Sequence, residues 1–525
     1  MLTIRNPVLP GFHPDPSFLR VGRDYYLATS TFEWFPGVRL HHSRDLVHWR
    51  CVGHALTDAR HLDLRAVPNS GGIWAPSLSH ARGRFWLVYT VVRTWGMGQP
   101  FKDLANYLVT AEKITGPWSD PIYLNGTGFD ASLFHDEGGR QWVVSMEWDH
   151  RPGRPRFAGI VLQEYDHQRR ALVGRPRTIL KKNVLIEGPN LYRRGGWYYL
   201  MLAEGGTGWN HGISMARARR ITGPYELDPQ GSVLTARDDK QIELQKAGHG
   251  ELVETPAGEW YLAHLASRPL GPHRQCVLGR ETCLQRVGWS ADGWLRLEDG
   301  GTRPQVEVAG PRGGTAQPWP VAAARDEFDR PKLDARWATL RGPADAGWLS
   351  LRARPGWLRL RGRESVHSLH DQSLVAQRLT AFTAVAETCL EFQPTDYTQS
   401  AGLICWYDTR MHYYLRVTHD AARGRVLGVA LTDDGRYDEL PGALDVNRWR
   451  RFFLRARIDG RRLQFSASPD RRRWRAVGPV LDASKLSDDY GQGLHFTGAF
   501  VGLCAQDLGG RRARADFDFF QLTAR

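Results

Sequence analysis

Lysine is scarce in this 525-residue chain: 8 of its 70 basic residues are Lys and 62 are Arg. The formal charge of +14 therefore comes from arginines dispersed along the whole sequence. The densest run, Arg471-Arg472-Arg473 with Arg475, falls in a turn-like stretch and reads as a solvated loop. With no basic stripe to track phosphates, nucleic acid is not expected as a partner. Cysteine is thin as well. The six residues Cys51, Cys276, Cys283, Cys389, Cys405 and Cys504 form no CxxC pair and have no zinc-site spacing, so free, mostly buried thiols are expected. Long apolar runs are also missing, with no stretch of about 18 such residues to cross a membrane. The opening MLTIRNPVLPGFHPDPS has no basic region followed by an apolar one. A cytoplasmic protein without membrane contact is the expectation.

Helix signals are absent too, because 55 Gly and 30 Pro punctuate the chain too densely for helices of ordinary length. What is present is aromatic: 20 Trp, 17 Tyr and 20 Phe, a load that suits β-structure and stacking on sugars. The length exceeds what one hydrophobic core serves, so two domains are expected.

A repeat organises the first 300 residues. Five segments open on a short signature, turn at a glycine and enter an aromatic, β-branched strand. They are Asp15-Pro-Ser-Phe with Gly22, Trp74-Ala-Pro-Ser-Leu with Gly83, Asp130-Ala-Ser-Leu-Phe with Gly139, Glu187-Gly-Pro-Asn-Leu with Gly196, and His249-Gly-Glu-Leu with Gly258. Steps of 56 to 62 residues leave room for four short strands each, one propeller blade per step. The first strand of each blade lines the propeller axis, so the five openers are expected to converge. A single Asp at a strand start is commonly a turn cap. Four ionisable openers at one axis are another matter, since gathering like charges costs free energy and marks chemistry rather than stability.

Pro and Gly thicken from Arg303 to Pro320. The expected organisation is a five-bladed β-propeller over 1–305, a linker over 306–325 and a second domain over 326–525. In that last part, Trp357–Arg361, Phe452–Ile458 and Ala513–Phe519 alternate with period two, and Asp434-Gly435 and Asp459-Gly460 mark hairpin turns. An all-β chain results, its propeller followed by a concanavalin- or jelly-roll-like β-sandwich.

The stretches NPVLPGFHPDPS, STFEWFPGV, GIWAPS, GFDASLF, LIEGPNLY, AGHGELVE and LGRET, with FTGAFVGL and ADFDFF in the second half, resemble the β-xylosidases of glycoside hydrolase family 43. The resemblance covers nearly the whole chain. It implies an inverting, exo-acting enzyme that releases D-xylose from the non-reducing end of β-1,4-xylooligosaccharides, with α-L-arabinofuranosidase activity as the alternative. A catalytically dead sugar-binding propeller is a third reading, and intact Asp15 and Glu187 argue against it. Carried over by motif, Asp15 is the general base, Glu187 the general acid, and Asp130 tunes and orients. Arg280 is expected to hydrogen-bond sugar hydroxyls, Phe32 and Trp74 to wall the terminal xylose, and Phe496 or Phe500 to close the pocket from the sandwich. A homo-oligomer, dimer or tetramer, is implied as well.

The chemistry explains the residue types. Inversion needs one carboxylic acid to protonate the leaving oxygen and one carboxylate to activate water on the opposite face. Glu187 is therefore expected to be held protonated near neutrality by burial and by the charge of Asp130, with Asp15 ionised. His249 has two roles open to it: binding a divalent ion at the axis, as in some family members, or donating a hydrogen bond that orients the acid machinery. No second ligand stands in its motif, which favours the latter, and no metal is expected to be required.

Overall fold

The computed structural model describes residues 2–96 and 98–524. The fold is all-β, a five-bladed propeller followed by a sandwich. Blade one consists of Ser17–Val21, Asp24–Thr29, Gly37–Ser43 and Arg50–Leu56. The other four blades run from Gly72 to Asn125, Ser132 to Leu180, Ile186 to Thr235 and Gln245 to Leu297, each a four-stranded antiparallel sheet in chain order. The first strands of successive blades touch in a closed ring. In every blade the turn between the first two strands carries its repeat glycine in the left-handed region, φ +62° to +79° for Gly22, Gly83, Gly139, Gly196 and Gly258. Glycine takes this conformation without the clash a Cβ would bring, which explains the repeat's most regular feature.

Residues 306–325 contain a short strand, Glu307–Ala309, which pairs with Thr3–Arg5. The Asn6 amide donates to Leu284 O at 2.7 Å, so the chain's first residues are tied to blade five. Beyond lies the sandwich, an eight-stranded sheet facing a nine-stranded one. Leu358, Leu403, Phe452, Leu454 and Phe517 are among the alternating residues that fill its core. At the Asp434-Gly435 hairpin both residues have positive φ, as a tight two-residue turn requires.

One strand crosses between the domains. Trp34–Phe35, from the connection between the second and third strands of blade one, pairs with Ala338–Leu340 and so forms the edge of the nine-stranded sheet. Trp34 stacks on Phe500 at 3.9 Å between ring centroids. A single apolar cluster runs across the boundary, joining Phe12, Phe32 and Trp74 to Leu374, Trp406 and Phe500.

Candidate active site

Four of the repeat openers stand within two residues of the start of a blade's first strand, His249 is the fifth residue of its own, and all five line one cavity of about 930 Å³. Asp15, Asp130 and His249 have φ of 52°, 54° and 49°, and Gly188 beside Glu187 has 54°. Asp and His tolerate the left-handed region better than most residues, and backbone strain of this kind clusters at functional sites. The kink recurs at or beside four of the five openers, so the repeat that forms the blades also sets the carboxylates.

Donors converge on Asp15. Arg280 Nη1 donates to its Oδ1 at 2.8 Å and Ser30 Oγ to its Oδ2 at 2.6 Å, and His249 Nδ1 lies 3.8 Å from Oδ1. Arg280 also donates to Thr207 Oγ1 at 3.1 Å and to the Phe496 carbonyl at 3.0 Å. The arginine expected to meet sugar hydroxyls thus spans Asp15, blade four and the sandwich. Burial keeps the His249 imidazole below its ordinary value, against the pull of Asp15. Among the described residues no group of three or more His, Cys, Asp or Glu is arranged to hold a metal ion.

Asp130 and Glu187 are raised together. Burial, then the charges of Glu187 and Asp15, push the Asp130 carboxyl well above the usual carboxylate range, while the Gly188 amide donates to it. Burial, then Asp15, push Glu187 up to about 7, with Arg280 and Lys102 pulling the other way. Ionising both costs more than ionising either, so this part of the site retains a proton near neutrality. Such a group can protonate a leaving oxygen.

The walls are aromatic. Phe32 and Trp74 lie 6.3 Å apart between ring centroids, and Phe496 meets them at 6.1 and 5.9 Å. Ser70 holds two of the three, its carbonyl accepting from Trp74 Nε1 and its hydroxyl from the Phe496 amide, both at 3.0 Å. Phe500 is fully buried against Trp34 and is not among the lining residues, so of the two residues weighed for the cap it is Phe496 that reaches the cavity.

Sequence reasoning did not pick out Trp95, Phe129, Trp148, Trp209 or Lys102, all of which line the cavity. The Lys102 ammonium stands 4.4 Å from the Trp148 ring centroid and 5.1 Å from that of Trp74. Burial lowers it to about 8 although Glu187 and Asp130 pull it up. One signal was available: where composition so favours Arg, each remaining Lys invites a question, and Lys102 and Lys246 both line this cavity.

The profile of Glycosyl hydrolases family 43 matches residues 4–295, and that of the beta xylosidase C-terminal concanavalin A-like domain matches 325–523. A xylosidase/arabinosidase from Humicola insolens is 47% identical over 99% of this chain and 97% of its own length. A xylan 1,3-beta-xylosidase from a Vibrio species is 42% identical over 99% of both chains. The crystal structure of a xylan beta-1,4-xylosidase from Bacillus halodurans C-125 superposes with a TM-score of 0.97 at 51% identity, covering 99% of this chain and 100% of that one.

Proposed function

The chain belongs to glycosyl hydrolases family 43 and is a glycosidase, and from that premise we propose that it removes single D-xylose units from the non-reducing end of β-1,4-xylooligosaccharides with inversion. The observation that carries this reading is the convergence of Asp15, Asp130 and Glu187 in one aromatic-walled cavity that the sandwich residue Phe496 closes on one side. In this reading Asp15 takes a proton from water as the water oxygen bonds to the anomeric carbon. Glu187 gives its proton to the departing glycosidic oxygen, and no covalent sugar intermediate forms. Asp130 titrates together with Glu187, so the pair holds a proton near neutrality that Glu187 can pass on. Arg280 and Ser30 orient the base by hydrogen bonds, and Phe32 and Trp74 stack on the terminal sugar. His249 stands 3.8 Å from that base, beyond hydrogen-bond distance, in place of the bond to the acid machinery expected of it. The catalytic unit is 1–305, and 326–525 completes the pocket.

Proton NMR of xylobiose during the first minutes of hydrolysis is expected to show α-xylose before mutarotation scrambles it. Early β-xylose, or xylobiose as the main early product from xylotetraose, would overturn the mechanism or the pocket. The name of the Humicola relative favours a second activity, on α-L-arabinofuranosides, and that of the Vibrio relative raises the β-1,3 linkage. Parallel assays on 4-nitrophenyl β-D-xylopyranoside, its α-L-arabinofuranoside counterpart and the two xylobiose isomers rank these. The family resemblance also supports a homo-oligomer, dimer or tetramer, which light scattering checks, and cell fractionation checks the cytoplasmic location read from the sequence.

A further inference from the structure

Behind the pocket, where blade one meets the sandwich, lies a second gathering of ionisable groups that the hydrolytic mechanism does not use. Arg39 and His41 stand on the blade-one strand Gly37–Ser43, His54 on the neighbouring strand Arg50–Leu56, and His13 two residues before Asp15. Arg378 comes from the sandwich strand Ser373–Arg378. All five are at least nine-tenths buried. His54 is the register partner of Arg39, and the His13 and His41 rings meet edge to face at 5.0 Å. The positive charges of Arg39 and Arg378 bear on all three imidazoles, and with burial they hold each well below its ordinary value.

What distinguishes this cluster is its unpaired polar nitrogens: those of the arginines are donors, whereas His13 Nδ1 donates to the Pro10 carbonyl at 3.1 Å and leaves its Nε2 an acceptor. Arg39 Nε and Nη1, Arg378 Nη1, His13 Nε2, His41 Nδ1 and His54 Nε2 are buried without a hydrogen-bond partner among the described residues. Neither arginine pairs with a described carboxylate; Arg378 Nε donates to the Phe12 carbonyl at 2.8 Å. A third buried arginine at the same interface shows the contrast. Arg341 donates to Val67 O, Asn69 Oδ1 and Gln372 Oε1 at 2.7, 2.9 and 3.3 Å. A guanidinium does not escape its burial cost by losing a proton, so two of them buried without a carboxylate partner favour a compensating negative charge.

We propose that Arg39, Arg378, His13, His41 and His54 form a binding site for a small inorganic anion of the halide class, which ties blade one to the sandwich. A metal cation would face two guanidiniums with no carboxylate to hold it. An apolar ligand would leave the same nitrogens unsatisfied. The closeness of the His13 and His41 rings favours a monatomic ion over sulfate or phosphate. The anion lies one step from the catalytic machinery: Arg378 holds the Phe12 carbonyl, the Phe12 ring lies 5.8 Å from Phe32, and the His13 amide donates to Arg280 O at 2.9 Å.

The test uses the full chain, freed of chloride and held in sodium gluconate. Replacing gluconate by chloride or bromide at constant ionic strength is expected to raise Tm by several degrees and to saturate. Arg378→Gln and, as a milder change, His54→Asn are expected to lose that increment. Should either variant fail to fold, crystals of the unaltered protein grown in sodium bromide still decide. An anomalous peak within hydrogen-bonding distance of both Arg39 and Arg378 supports the site. Absence of a peak there, with or without one elsewhere and whatever the melting curves do, overturns it.

Discussion

The two sides of the cavity are built on different principles. The propeller side is charged: three carboxylates answer to Arg280 and Lys102, and a left-handed residue stands at or next to each of them. The sandwich side, the segment Asp488–Phe496, is held by the contacts it makes with the propeller. The Lys246 ammonium pairs with Asp489, the Cys276 amide donates to Asp489 Oδ2 at 3.0 Å, and the Phe496 amide donates to Ser70. In the proposed mechanism one side supplies proton transfer and the other supplies shape, so damage to the first should appear in kcat and damage to the second in KM or in stability.

The sharpest break is at the carboxylates. Asp15→Asn and Glu187→Gln are each expected to cut kcat on xylobiose by about 10²–10⁴-fold with little change in KM. For Glu187→Ala the loss should be much smaller on an aryl xyloside whose leaving group hardly needs a proton. Equal losses on the two substrates would remove Glu187 from the acid's role.

Next comes the seam. Gly279 has φ +71°, and a Cβ there would stand 2.2 Å from the Thr497 carbonyl oxygen, a backbone atom that cannot swing aside. Gly279→Ala should cost roughly 1–3 kcal/mol of stability through strain and overpacking. Chemical denaturation measures this, and an unchanged midpoint would mean that the seam yields more readily than its packing suggests. On the sandwich side, Phe496→Ala should raise KM about tenfold, ~1.4 kcal/mol, with kcat nearly kept. A fall in kcat alone would erase the distinction between the two sides.

The smallest effect concerns pH. A general acid must be protonated to act, so with Glu187 in its proposed role kcat/KM should fall as pH rises through about 7. Lys102 pulls that value down, so Lys102→Met should move the alkaline limb to higher pH, by less than about one unit at a site that water reaches. A shift to lower pH would assign the limb to another group.

Much of this was legible in the sequence because a repeat turns distant residues into neighbours. Asp15, Trp74, Asp130, Glu187 and His249 announce themselves by opening five similar segments, and the closed ring of first strands brings them together. Phe496 was reachable only through family resemblance, since nothing local says that a sandwich loop turns back onto the propeller. Lys102, Trp95 and Trp148 lie outside the five opening signatures, and their position depends on how the connections fold over the mouth. Nor did the alternation of the first 60 residues reveal that Trp34–Phe35 leaves its blade. Two residues are too few to show a period, and their partner lies about three hundred residues further on.

That borrowed strand bears on how the molecule is made. A ribosome releases blade one long before Ala338–Leu340 exist, so Trp34 and Phe35 must wait, unpaired and apolar, until most of the chain has emerged. The wall residue Phe32 sits two positions upstream, and its neighbour Phe496 is synthesised later still. A nascent chain carries the three carboxylates well before it has the pocket that would let them work. Pairings so remote in sequence are slow to form, which makes the interval before the sandwich arrives the stage at which this protein most needs protection from aggregation.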